Sequence, residues 1–188
     1  MGRIIVEQIV SADGFAEARK GGIDFFDAAG DFSEMEQEQL EMLANVDAIV
    51  LGANTYRMFA DYWPRADAEK ERVAEPINRL PKHVFSSKLE KAPWGKREAA
   101  TIERDSVPST MVALRERYAK DIIVWGSLTL TEALFDENLI DVLRLRVVPI
   151  LVGAGRSIAP PDLDHTKLQL VASRAYPRGH VTTTYALR

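Results

Sequence analysis

A chain of 188 residues with 46% hydrophobic and 28% charged side chains carries enough apolar material for a packed core, which excludes disorder over most of its length. The formal net charge of −4 and pI near 5.5, with lysine and arginine scattered, provide no basic stripe for a nucleic-acid backbone. Cysteine is absent, which removes disulfides, thiolate metal sites and a cysteine nucleophile, and no apolar run approaches the roughly 20 residues that span a bilayer.

In chain order, RIIVEQIV (3–10) sets β-branched residues around Glu7 and Gln8 and predicts a well-buried strand. SADG ends it, because Asp and Gly favour tight turns. FAEARKGGIDFFDAAG has adjacent glycines and no clear period, so it reads as a long loop with local turns. Asp31 and Glu34 have the spacing of a capping box, and Phe32, Met35, Leu40 and Leu43 fall near one face of the helix it would start. DAIVLG (47–52) is an apolar strand that runs into a second helix at ANTYRMF. WPRADAEKERVAEPINRLP, polar and broken by prolines, predicts a partly helical surface excursion.

KHVFSS is a strand ending in two serines, EAATIER a further strand, and SVPSTMVALRERYA a helix with Met111, Leu114 and Tyr118 inward. DIIVWGS repeats the pattern of strand then glycine, and SLTLTEALFDENL returns to helical spacing. IDVLRLRVVPILVGAG reads as one long strand from Asp141 to Ile150, with Leu143, Leu145 and Val147 alternating against Arg144 and Arg146. KLQLVASRAY and HVTTTYAL alternate on either side of PRG, as a C-terminal antiparallel hairpin does. Strands that alternate with helices and close in a hairpin predict one α/β domain over 1–188, with a mixed sheet and helices on its faces. The N-terminus MGRIIVEQIV lacks the parts of a signal peptide, so the expected location is the cytoplasm, with no membrane partner.

Ligands of open α/β sheets bind outside the carboxyl ends of strands. Gly52, the pair Ser86 and Ser87, and the pair Gly126 and Ser127 stand at three such ends, with Thr55 in the helix after Gly52. Glycine admits close backbone approach, and hydroxyls and amides donate to phosphate oxygens. A glycine after a strand is also an ordinary turn; three such ends together favour a crevice that binds an anionic cofactor. GAGR at Gly153 lacks the third glycine of a dinucleotide fingerprint, and no P-loop run occurs. His83, His165 and His180 are far apart and form no metal-ligand pattern.

The series SADGFA, IVLGANTY with YWP, VFSS, IIVWGSLTLTEAL and LIDVLRLRVVPILVGAGRSI resembles the dihydrofolate reductase-like family. It is most similar there to the stand-alone relatives of the reductase domain of the bifunctional riboflavin-biosynthesis deaminase-reductase. That resemblance implies a three-layer fold with a mixed, mostly parallel sheet of about eight strands, a C-terminal hairpin, and NADPH lying across the strand ends. It matches Gly52 and Thr55 to a Gly-Arg-x-Thr-Tyr/Trp motif whose threonine contacts cofactor phosphate, and Ser86 and Ser87 to a pair beside the adenosine 2′-phosphate. It matches Gly126, Ser127, Leu128 and Thr129 to the turn and helix start that receive the pyrophosphate. Ala53 stands where the family often has arginine, leaving Lys88 or Arg57 as replacement cations, and Trp125 stands where riboflavin-pathway reductases carry a glutamate.

The implied reaction is hydride transfer from NADPH to a small heterocyclic or carbonyl substrate, in a homodimer. Asp13, in SADG beside the expected nicotinamide end, is the first candidate for the proton donor, although a turn-forming Asp before Gly has a purely local explanation. Asp31, Glu34, Glu36, Glu38 and Glu41 lie in the helix region where folate reductases place an acid. Phe25, Tyr56, Trp63 and Trp94 offer rings for stacking a flat substrate or for packing the core. A protein of this fold that binds NADP(H) or another small molecule without catalysis is the alternative.

Overall fold

The computed structural model describes residues 2–187. β1 (Ile4–Ser11), β3 (Val46–Gly52), β4 (Lys82–Phe85), β5 (Thr101–Glu103), β6 (Asp121–Trp125), β7 (Val142–Val148), β9 (Leu168–Ala175) and β10 (Val181–Leu187) form an eight-stranded sheet. Its order is β5-β4-β3-β6-β1-β7-β10-β9. β5 through β7 in that order pair in parallel, and β10 pairs antiparallel with both β7 and β9. The mixed α/β sheet and its closing hairpin are those expected from the strand pattern.

One sheet face carries Ile4, Val6, Val50, Ile122, Val124 and Leu143, covered by Met111 and Leu114 of α5 (Val107–Arg117) and by Leu130 and Leu134 of α6 (Leu128–Asp136). The other carries Ile5, Ile49, Leu51, Ile123 and Trp125 under α2 (Glu36–Leu43), α3 (Ala53–Tyr62) and α4 (Ala74–Arg79). Burial of both faces explains the near-continuous apolar runs of the central strands. Tyr56 and Trp94 belong to this second layer: the Tyr56 hydroxyl donates to the Pro93 carbonyl at 2.6 Å and the Trp94 indole to Asn78 Oδ1 at 2.7 Å. No described helix is long and apolar enough to cross a membrane.

Four local expectations are corrected. The loop after SADG contains β2 (Phe15–Ala18), which pairs with β8 (Gly155–Ser157) to form a separate ribbon, and a single helical turn, α1 (Phe25–Ala28). Asp31 and Glu34 form no capping box. Asp31 accepts the Ser33 amide at 2.7 Å and pairs with Arg178, while Glu34 turns to His180, and α2 is entered through a 3-10 turn, Ser33–Met35. The excursion from Trp63 is anchored inward by buried Ala74, Ile77 and Asn78. The long strand stops at Val148, since Pro149 has no N–H for the ladder. Neither face of that strand is open to solvent at its centre: Arg144 is only 4% exposed, because β1 and β10 flank it and α2 lies above.

Candidate active site

β3 and β6 are parallel neighbours with Leu51 beside Trp125, so Gly52 and Gly126 leave the sheet side by side. α3 begins on Gly52 with no side-chain cap, and α6 begins on Ser127, whose Oγ accepts the Leu130 amide at 3.4 Å. The two helix starts interlock. A Cβ on Gly52 would stand 2.5 Å from Ser127 Cβ and Oγ, and one on Gly126 would stand 2.6 Å from Thr55 Oγ1. Gly126 at φ 63 and Ser127 at φ 59 both adopt left-handed backbone, which turns the chain sharply from β6 into α6.

First-turn amides of a helix have no intrahelical acceptor, so the starts of α3 and α6 set two positive dipole ends at adjacent strand tips. Leu128 buries its side chain with Val10 and Ala16 and offers only its amide, whereas Thr129 is exposed. On the other side of β3, Phe85 lies beside Gly52, so Ser86 and Ser87 follow at the same edge. Ser86 Oγ is partly committed, accepting the Lys88 and Leu89 amides at 3.2 and 3.0 Å, while Ser87 is exposed. Arg104 donates to the Ser86 and Leu89 carbonyls, fixing this tip. Nothing in EAATIER signals that return. Arg57 bonds Asn54 Oδ1 at 2.8 Å, and Lys88 is exposed.

Asp13 lies beyond β1, on the far side of β6. Its carboxylate accepts from Ser11 Oγ at 2.6 Å, the Val152 amide at 3.1 Å and the Gly153 amide at 2.7 Å. Those bonds, the Ser11 hydroxyl first, lower its pKa from 3.8 to about 2. Stability from this acid is therefore complete above pH 3.8 and lost as the pH falls through about 2. At neutral pH the group is an acceptor that ties the β1 turn to the loop after β7. A cavity of about 520 Å³ opens next to that tie, lined by Arg19, Lys20, Gly21, Asp24 and Gly153.

The sheet face under α2 holds a buried polar network. Glu7, opposite Trp125 in register, accepts from the Trp125 indole at 2.7 Å, from Gln39 Nε2 at 2.8 Å and from Arg144 at 2.6 Å. Arg144 continues to Gln39 Oε1 at 2.9 Å and Glu38 at 2.8 Å, and Glu38 also accepts from the Tyr176 hydroxyl. Burial opposes the Arg144 charge, and Glu7 with Glu38 outweigh it, leaving its pKa above the ordinary value. The remaining acids of this region are engaged as well: Glu36 with Arg72, and Glu41 with Gln37. A Glu inside a strand and two arginines alternating with leucines were the only signals of this network in the sequence.

The sequence profile of the RibD C-terminal domain family matches residues 3–182. The uncharacterized protein YyaP of Bacillus subtilis (strain 168) is 24% identical over 186 residues, which cover 97% of this chain and 94% of YyaP. The crystal structure of a pyrimidine reductase-like protein from Corynebacterium diphtheriae matches with a TM-score of 0.69 at 18% identity, over 100% of this chain and 92% of that one. Dihydrofolate reductase from Enterococcus faecalis, complexed with NADP(H) and RAB-propyl, matches with a TM-score of 0.59 at 12% identity, over 100% and 97%. At these identities the solved structures establish a shared dihydrofolate reductase-like fold.

Proposed function

The chain belongs to the RibD C-terminal domain family, and from that premise we propose that it is an NADPH-dependent reductase of a small heterocyclic or carbonyl substrate. The observation that carries the reading is the interlock of Gly52 with Ser127 and of Gly126 with Thr55, which leaves two helix N-termini side by side at the strand tips. An uncapped α3 start beside the tight turn into α6 fits a pyrophosphate in charge and in backbone access. Gly52, Thr55, Gly126, Ser127, Leu128 and Thr129 hold it by amide and hydroxyl donation, and Ser86 and Ser87, with Lys88 as the free cation, receive the adenosine phosphate. Bound there, NADPH supplies the hydride. Asp13, ionised and fixed to Val152 and Gly153, orders the turn at the nicotinamide end and gives a water a place to be held for protonation.

Titrating the purified chain with NADPH and NADH, followed by fluorescence and melting temperature, is expected to give micromolar binding of NADPH. Thr55→Ala and Ser127→Phe should each weaken it at least tenfold, about 1.4 kcal/mol. Failure of both cofactors to bind at millimolar concentration would end the reading. A second reading, a binding protein without catalysis, is favoured by one observation: each acid of the α2 region already has a donor of its own. Binding without NADPH oxidation across a broad carbonyl and imine panel would select it.

The reading includes a cytoplasmic homodimer. β9 is a sheet edge exposed along its whole length, with Leu168, Leu170 and Val171 at 42, 54 and 62% exposure, and such an edge is commonly covered by another strand. Light scattering should return twice the 21.0 kDa chain mass, falling to one chain for Leu170→Lys. A wild-type monomer at micromolar concentration sinks the dimer.

A further inference from the structure

β7 carries two arginines toward α2, and only one of them has an acid. Arg144 is consumed by Glu7, Gln39 and Glu38. Arg146, two residues nearer the strand tips, donates from Nη2 to the Met35 sulfur at 3.8 Å, lies 5.4 Å from the centre of the Phe32 ring, and has a buried Nε with no acceptor among the described residues. Its partner across the strand pair is Thr182, and two residues before Thr182 stands His180. The His180 side chain is fully buried; its Nδ1 is 3.0 Å from Glu34 Oε1, and its Nε2 is buried without a partner. The same Phe32 ring is 5.1 Å from this imidazole. Two buried nitrogens without a partner among the described residues, one on β7 and one immediately before β10, thus flank one aromatic ring.

Thr182 Oγ1, across from Arg146, is a third buried atom without a partner among the described residues; buried polar groups in folded proteins are nearly always satisfied, so a local cluster of exceptions marks a place where something outside the chain belongs. A guanidinium only donates, and an imidazole whose other nitrogen is held by a carboxylate donates from Nε2 once protonated. Burial depresses the Arg146 pKa, but an arginine stays charged in protein interiors. The facing acids are already matched: Glu34 by His180, Glu38 by Arg144 and Tyr176, Asp31 by Arg178. Arg146 is left with no carboxylate bonded to it among the described residues. Phe32 caps the turn Ser33–Met35, its carbonyl accepting the Met35 amide at 3.0 Å, so its ring can turn aside by side-chain rotation while that backbone bond stays in place.

We propose that Arg146 and His180 form a subsite for an anionic oxygen group, a carboxylate or a phosphate, of the substrate, with Phe32 as the ring that fills it when substrate is absent. The subsite rests on the reductase reading and deepens it: the substrate is an anion, and its charged end lies across β7 and β10, beyond β1 from the cofactor edge. Arg146 gives the charge and one or two N–H bonds, and His180, held by Glu34 through Nδ1, turns Nε2 toward the same group.

The test follows the Arg146 Nε–H resonance by NMR in the full-length chain during titration with inorganic phosphate, acetate and, as the neutral control, acetamide, at matched ionic strength in chloride. A saturable shift with phosphate or acetate and none with acetamide is expected. A response to one anion alone identifies the group as phosphate or as carboxylate, and a response to both leaves the shared chemistry standing. Arg146→Met should weaken binding of the anion at least tenfold, read from other resonances of β7 and β10. Phe32→Ala should tighten it several-fold, and this second variant decides the matter if Arg146→Met does not fold. No saturable shift, an equal shift with acetamide, or a Phe32→Ala variant that binds no more tightly overturns the subsite. NADPH added to the same samples separates the two proposals: cofactor binding without an anion response removes only the subsite, and an anion response without cofactor binding removes only the reductase reading.

Discussion

Gly126→Ala is expected to lose about 2 kcal/mol of stability and at least tenfold in NADPH affinity. The residue sits at φ 63, where a Cβ is strained by itself, and that Cβ would press to 2.6 Å from Thr55 Oγ1 and 3.0 Å from Thr55 Cγ2. Thr55 cannot yield without moving the first turn of α3, whose N-terminus is one half of the proposed pyrophosphate cradle. For a chain of this length the stability loss corresponds to a melting-temperature drop of about 4–8 °C. Pairing the change with Thr55→Ala removes the steric part and leaves the backbone part, so the difference between single and double variants measures the contact alone. A folded Gly126→Ala variant that binds NADPH like the parent would show that the turn does not touch the cofactor.

Arg144→Met is expected to cost about 3 kcal/mol. The substitution leaves Glu7, 3% exposed at its side chain, and Glu38 without their cation. Glu7 keeps the Trp125 and Gln39 donors, which places the cost at the lower end of the range for a broken buried pair. Replacing Glu7 together with Arg144 by methionine should recover much of the loss, because the penalty comes from the stranded charge and not from missing volume. Denaturant melts of the three variants and the parent provide the check. A loss below about 1 kcal/mol for Arg144→Met would mean that water reaches the network.

The strand tips were readable because glycine and serine punctuate them: an apolar run ending in Gly52, Ser86 or Gly126 marks both the end of a strand and a place where backbone is open. What the linear pattern does not contain is which tips meet. Gly52 and Ser127 are brought within contact by the adjacency of β3 and β6, strands that are not consecutive in the chain. The leucine and arginine alternation of β7 correctly separates two faces, but alternation carries no information about which face a later helix covers, and so Arg144 is found in the interior. The pairing of β2 with β8 joins Glu17 to Arg156, and no local propensity predicts a ribbon closed over that separation. Asp31 and Glu34 have the spacing of a cap, yet the hairpin tip supplies stronger partners in Arg178 and His180. Asp13 illustrates the converse: the turn was legible from Asp-Gly, and its ionisation depends on amides from Val152 and Gly153.

β1 precedes the other strands of this sheet in the chain and yet occupies its middle, and both its neighbours, Asp121–Trp125 and Val142–Val148, come more than a hundred residues later. During synthesis, then, the segment IIVEQIVS leaves the ribosome with no native edge to join until more than a hundred further residues have followed it. Its apolar side chains and its Glu7 must wait, solvated or chaperoned, while β3 and β4 already have one another. The centre of the sheet can therefore close only once β6 and β7 have been made, through pairings of high sequence separation, the kind of contact that slows folding.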